Sequence, residues 1–100
     1  MSRPLRLEIK TPTDAFYEGD VEMVMVKTTD GYEGFMAAHE WALKLLADDG
    51  EVRIKEIGNA GSTAKDRDFR IARLKGGVME VRDHIFIFTE EAEWKKPSKR

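Results

Sequence analysis

Residues 69–88, FRIARLKGGVMEVRDHIFIF, hold three short apolar-rich runs divided by two turn signals. The runs occupy 69–74, 78–82 and 85–88, with Gly76-Gly77 between the first pair and Asp83-His84 between the second. Strand-length runs at this spacing, with turn chemistry between them, predict an antiparallel sandwich or barrel. The N-terminal sequence agrees. Leu5, Leu7 and Ile9 alternate with Arg6, Glu8 and Lys10, the pattern of a strand with one apolar face. Thr11-Pro12-Thr13-Asp14 reads as a turn, because proline presets φ and aspartate bonds its own backbone. Phe16 and Tyr17 begin a second extended piece that Gly19-Asp20 is expected to break. VEMVMV at 21–26 is nearly all apolar and predicts a strand covered on both sides, with Met23 and Met25 in the core. Asp30-Gly31 is the strongest short turn signal in the chain. Val52 and Ile54 alternate with Arg53 and Lys55, and the polar, glycine-containing 58–68 reads as a loop.

One segment conflicts with this pattern. Residues 37–49 (AAHEWALKLLADD), followed by Gly50, are good helix formers with a glycine stop, so propensity predicts a helix. Its apolar stripe is short, since Trp41, Leu45 and Asp48 share a face and the last is polar.

Composition narrows the function classes. One hundred residues make one domain, and 41% hydrophobic residues suffice for a core. There is no apolar run of membrane-spanning length and no signal-peptide core in MSRPLRLEIK, so the expectation is a cytoplasmic protein. With no cysteine there are no disulfides, thiolate nucleophiles or cysteine-ligated zinc sites. The net charge of −2 conceals a division: +2 over residues 1–10, −7 over 11–50 and +3 over 51–100. The acidic stretch argues against nucleic acid, which requires a concentrated basic stripe. The basic tail with Lys95, Lys96, Lys99 and Arg100 reads as a solvated terminus.

No motif carries chemistry. His39 and His84 have no metal-ligand spacing around them; His39-Glu40 begins like HExxH, but Leu43 stands where the second histidine belongs. GNAGSTA at 58–64 lacks the lysine that must directly follow the last glycine of a P-loop. The carboxylates of Glu90, Glu91 and Glu93 splay to different faces and cannot work as a catalytic pair. There is no nucleophile elbow. The reading is a non-catalytic protein with no cofactor, no metal and no small-molecule substrate.

Six pieces in order carry a resemblance: LRLEIKTP at 5–12, FYEGDVEMVMV at 16–26, TTDGYEGFMAAH at 28–39, GEVRI at 50–54, LKGGVMEVRD at 74–83 and FTEEAE at 88–93. The double glycine followed by apolar-apolar-Glu-Val is the most specific. Together they cover roughly residues 4–94, and the chain resembles the N-terminal domain of the epsilon subunit of F-type ATP synthases (delta in mitochondria). It departs where the family has Pro-Gly-His-Ala-Pro-Leu. Ala37 and Ala38 replace Pro-Gly, and Glu40 and Trp41 replace Ala-Pro, so the turn there must be built differently. The loop at 58–68 is longer than usual. Family members mostly continue into a pair of C-terminal helices that can inhibit ATP hydrolysis, whereas this sequence stops at Arg100.

The resemblance implies an all-β fold, an antiparallel β-sandwich of two sheets over residues 1–94 without the C-terminal helical hairpin, and a basic tail at 95–100. Residues 37–49 would then be a loop followed by a strand near 43–47 rather than a helix. The implied role is a rotor subunit of the central stalk that binds the gamma subunit and the membrane rotor ring, peripheral on the cytoplasmic face of the energy-transducing membrane. It would couple ion-driven rotation to ATP synthesis and lack arm-based inhibition. By position, Asp30, Gly31 and Glu33 match the ring-facing edge, and Thr11 and His39 match the gamma-facing side. Trp41, an aromatic in the substituted turn, is added to the gamma-facing set on chemical grounds, with burial in the domain's own core the equal alternative. The alternatives are a generic all-β interaction module binding by an exposed edge strand, and a small enzyme or ligand-binding barrel, which needs an enclosed pocket.

Overall fold

A computed structural model describes residues 5–36, 41–57 and 69–95. Nine strands follow in chain order: β1 (Leu5–Lys10), β2 (Ala15–Thr28), β3 (Gly31–Phe35), β4 (Ala42–Leu45), β5 (Glu51–Glu56), β6 (Phe69–Leu74), β7 (Val78–Val81), β8 (Ile85–Phe88) and β9 (Ala92–Trp94). None of the described residues is helical. The ladder runs β4-β7-β8-β1-β2-β5-β6-β9, with β3 pairing β2 beside this path.

The long strand β2 explains how one ladder makes a sandwich. Fully extended, its 14 residues would span about 46 Å at ~3.3 Å each. A straight β2 would exceed each principal extent of the molecule, 37, 35 and 26 Å. A register shift between Val21 and Met23 supplies the bend. Before it, Tyr17 and Val21 face inward and the strand pairs with β1; after it, Val24, Val26 and Thr28 face inward and the strand pairs with β3 and β5. The first half of β2 thus completes a layer with β1, β8, β7 and β4, and the second half a layer with β3, β5, β6 and β9. Between them lies one cluster that includes Leu7, Ile9, Val24, Val26, Phe35, Val52, Ile54, Met79, Val81, Ile85 and Ile87, all at or near zero exposure.

Four expectations need correction. The strand does not break at Gly19-Asp20, which pair with Leu7 and Arg6. A Cβ on Gly19 would lie 3.0 Å from the Tyr17 hydroxyl, so this glycine makes room for a ring rather than a turn. Residues 21–26 are fully buried on one face only, and Met23 and Met25 lie partly buried on the outer face, because the bulge reassigns which alternate residues point inward. The sandwich is not purely antiparallel, since β1 and β8 run parallel. They are distant in sequence, so no hairpin dictates their sense. The helix predicted over 37–49 is absent from its described part, 41–49. There β4 hydrogen-bonds along its whole length to β7, matching the strand that the resemblance implied near 43–47. A helix would have buried only a short stripe, whereas the strand gains a ladder and packs Ala42 and Leu46 on the core.

The double glycine earns its place by backbone geometry. Gly76 and Gly77 have φ of +62° and +113°, which side chains rarely adopt, and a Cβ on Gly77 would collide with the backbone of Phe88 and Thr89. The buried Thr89 hydroxyl donates to the Gly76 carbonyl at 2.7 Å and accepts the Lys75 N–H at 3.2 Å. β9 is fastened differently. The Trp94 ring stacks on Phe16 at 4.7 Å between centroids and meets Tyr17 edge-on at 5.9 Å. The Arg70 guanidinium lies 4.0 Å from the Trp94 centroid and 3.3 Å from Glu56, which accepts the Tyr17 hydroxyl at 2.8 Å. Lys95, assigned to the tail from sequence, is tied down as well. Its N–H donates to Ile71 O at 2.8 Å and its ammonium to Glu51 at 2.8 Å. Residues 96–100 lie outside the described part.

Candidate interaction surface

The outward side of β4 is the most apolar part of the described surface. Strand alternation sends Ala42 inward and turns Trp41, Leu43 and Leu45 outward, at 69, 70 and 60% exposure. Cross-strand register extends the face. Leu45 sits opposite Val78, which sits opposite Phe88; Leu43 sits opposite Glu80, which sits opposite Phe86. β4 is also an edge strand, hydrogen-bonded in full only to β7. Soluble monomers normally protect such an edge with charge, and contiguous exposed apolar area of this kind marks an interaction site. At one end the Arg82 guanidinium lies 5.3 Å from the Trp41 ring centroid, and Arg82 also reaches Glu80 at 3.6 Å. The Arg82–Glu80 pair therefore sets charge among the apolar side chains of this face, with Glu80 between Leu43 and Phe86.

The second feature is the turn between β2 and β3. Asp30 stands exposed at its tip, and Gly31 has φ +116° with no atom within 4 Å of where a Cβ would be. The Thr28 hydroxyl is buried beneath the turn. It accepts the Asp30 N–H at 3.0 Å and lies 3.0 Å from both the Gly31 carbonyl and Glu33 Oε2. Glu33 Oε1 meets the Lys44 ammonium at 3.2 Å. Tyr32 projects from the same hairpin at 54% exposure.

The structure therefore brings Asp30, Gly31 and Glu33 into one hairpin, with Glu33 half-buried behind the tip. It does not bring Thr11 and Trp41 together. Trp41 adjoins Arg82 at the β7–β8 turn, whereas Thr11 follows β1 at the opposite end of the ladder, where Lys10 pairs with Phe88. The Thr11 hydroxyl is used locally, accepting the Asp14 N–H at 3.1 Å. His39 lies outside the described residues. Trp41 is exposed rather than buried in the core. Sequence reasoning missed Leu43, Leu45, Phe88 and Tyr32. The signal was the period-two alternation Trp41, Leu43, Leu45, which the helical propensity of the segment obscured.

A hollow of about 430 Å³ opens near Thr11, between the β1–β2 and β8–β9 connections. Phe16, Leu74 and Ala92 form part of its wall beside Asp14, Arg73, Lys75 and Glu93. It is an open cleft lined by charges of both signs, not an enclosed apolar site with converging polar groups.

Residues 4–95 match the family described as ATP synthase, Delta/Epsilon chain, beta-sandwich domain. The ATP synthase epsilon chain of Caldanaerobacter subterraneus subsp. tengcongensis is 38% identical over 95 residues, covering 94% of this chain and 62% of that protein. The epsilon chain of Alkaliphilus oremlandii is 37% identical over 95 residues, covering 94% and 63%. The chain thus spans just under two thirds of the length of these curated relatives. Among solved structures, the cryo-EM structure of the Euglena gracilis mitochondrial ATP synthase (OSCP/F1/c-ring) contains a chain that superposes with a TM-score of 0.76 at 20% identity, over 91% of this chain and 53% of that one. A chain of the Tetrahymena thermophila mitochondrial ATP synthase central stalk and c-ring superposes with a TM-score of 0.68 at 12% identity, over 91% and 66%. At these identities the superpositions speak for the fold alone.

Proposed function

This chain belongs to the delta/epsilon β-sandwich family of ATP synthases, and from that premise we propose that it is a non-catalytic central-stalk subunit that binds the gamma subunit through the apolar face of β4, β7 and β8 and meets the membrane rotor ring through the β2–β3 turn. The observation that carries the reading is the outward row of Trp41, Leu43 and Leu45 on an edge strand. An apolar row left open to water is costly alone and favourable once a partner covers it. Gamma is the partner that fits a rigid contact without bond chemistry. Asp30 at the tip of the turn offers a negative charge to basic loops of the ring, which would fix register more than it would add affinity. Thr11 and His39 remain members of the proposed gamma-facing set.

Mechanically the domain works as a spacer. Torque passes through packed interfaces, and a close-packed β core deforms little under load. The protein acts at the cytoplasmic face of the energy-transducing membrane, held there by its partners. The test is reconstitution of the purified chain with gamma and with the rotor ring of a synthase. We expect gamma binding that weakens at least tenfold in a Leu43→Ser/Leu45→Ser variant, about 1.4 kcal/mol or more. Wild-type protein that fails to bind gamma overturns the reading.

A further inference from the structure

The two proposed contact surfaces are not independent parts of the molecule. They meet at one corner, where the end of β2 crosses from its own layer to the edge of the other. Thr29 N–H donates to Leu45 O and Ala47 N–H to Lys27 O, each at 3.0 Å, and Thr28 bridges Leu46. The ion pair of Glu33 with Lys44, at 3.2 Å, links side chains of β3 and β4. Alternation explains its placement. Lys44 points to the side of β4 opposite Leu43 and Leu45, and Glu33 points to the side of β3 that also carries the buried Phe35. The pair therefore spans the flank of the sandwich between the edge strands of the two layers. Both partners are about 30% exposed, so solvent screens them only in part. Glu33 uses its other oxygen on the Thr28 hydroxyl, the same hydroxyl that holds Asp30 N–H. A continuous path thus runs from Asp30 through Thr28 and Glu33 to Lys44, and Lys44 is flanked in sequence by Leu43 and Leu45, two of the three apolar residues of the proposed gamma-facing row.

We infer that Glu33 and Lys44 are positioning residues. Their ion pair locks the acidic β2–β3 turn to the strand that bears the apolar face, so that the ring contact and the gamma contact move as one body. This role rests on the proposed function above. It assigns Glu33 to holding the turn, leaving Asp30 to present charge outward. The backbone contacts at the corner tie the end of β2 to β4 and stop at Thr29; β3 pairs by backbone with β2, and the Glu33–Lys44 pair adds a side-chain tie from β3 to β4. Without the Lys44 ammonium the turn would keep its Thr28 bond yet lose this ion pair to β4.

The experiment uses Lys44→Met, Lys44→Arg and Glu33→Gln in the full chain. The first readout needs no partner: amide hydrogen exchange at Asp30, Gly31 and Tyr32. Exchange in Lys44→Met should rise about tenfold at these amides, return toward wild type in Lys44→Arg, and stay unchanged in the core strands β1 and β5. Unchanged exchange at the turn, or acceleration spread evenly over the whole sandwich, overturns the inference without touching the proposed function. The second readout is rotation-driven ATP synthesis by the reconstituted complex. Lys44→Met should lower it while gamma affinity stays within twofold, and Lys44→Arg should restore it. Equal synthesis by the Met and Arg variants refutes the load path. Wild-type protein that binds neither gamma nor ring sinks the proposed function, while the exchange result still decides whether the pair holds the turn.

Discussion

Removing the Trp94 side chain measures how the sandwich closes its last strand. β9 has only three residues, and it pairs with β6 on one side. A strand that short cannot hold itself by its ladder alone. Its anchor is the Trp94 ring, between Phe16 at 4.7 Å and the Arg70 guanidinium at 4.0 Å. Truncating a fully buried tryptophan to alanine costs about 3–5 kcal/mol. Trp94 is half-buried, so roughly half of that applies. A stacked aromatic pair contributes about 0.5–1.5 kcal/mol beyond area, and a partly exposed cation–π contact about 0.5–1 kcal/mol. These overlap with the truncation figure, and about 2–3 kcal/mol is the working value for Trp94→Ala. At ~4–8 °C per kcal/mol for a domain of this size, Tm should fall by about 10–20 °C. Trp94→Phe keeps a stacking ring and should cost about half as much. The assay is urea unfolding followed by circular dichroism and by the fluorescence of Trp41, the tryptophan that remains. Trp41→Ala is the control. It removes an exposed ring that meets the Arg82 guanidinium at 5.3 Å, so stability should change by less than ~0.5 kcal/mol. If Trp94→Ala costs under about 1 kcal/mol, or no more than Trp41→Ala, the aromatic anchor is refuted.

Two further outcomes follow from local geometry. Gly77→Ala should be far more damaging than Gly31→Ala, although both glycines have φ near +115°. At Gly31 the Cβ enters open space and the cost is backbone strain, about 1–2 kcal/mol; at Gly77 it meets the Phe88–Thr89 backbone, which cannot move aside, so the loss should exceed 3 kcal/mol by urea unfolding. Tyr17 sets an alkaline limit: burial, then the hydrogen bond to Glu56, push its phenol up to about 12 from an ordinary value of 10.0. The unfolded chain loses that proton first, so the contribution is whole below pH ~10 and fades between about 10 and 12, by ~1–2 kcal/mol; Tyr17→Phe should flatten that part of the stability–pH curve, and an unchanged slope would contradict the assignment.

Much of the fold was legible because period-two alternation is a local signal. Leu5, Leu7 and Ile9 read as one buried face and are one. The Gly76-Gly77 turn was readable because a glycine pair is a local turn signal, although what bars a side chain at Gly77 is the more distant Phe88–Thr89 backbone. What resisted was long-range. The bulge at Glu22 depends on how β2 pairs with β5, and it moved Met23 and Met25 to the outer face. The parallel pairing of β1 with β8 has no signature in either strand. Of the proposed surfaces, the turn was legible, since Asp30-Gly31 is a turn signal in any context, and β4 was obscure.

The obscurity of β4 has a physical cause that bears on function. Residues 41–46, WALKLL, are strong helix formers, and a helix was the local preference. Their strand conformation turns three large apolar side chains to solvent along an edge, where a soluble domain ordinarily carries charge. Sequences are usually consistent across levels, and departures concentrate where function demands them. Here both departures fall on the same residues. A sequence selected for stability alone would place a polar residue at position 43 or 45 and lose nothing from the core, because Ala42 and Leu46 do the packing there. Retaining leucine at both positions makes sense if the face is covered in the working state. The Lys44 between them adds to the argument, since the one inward charge of the strand is spent on Glu33 of the acidic hairpin rather than on protecting the edge. Local conflict, exposed apolar area and the ion pair between the two proposed surfaces therefore converge on β4 as the strand through which we propose that this domain meets its partners.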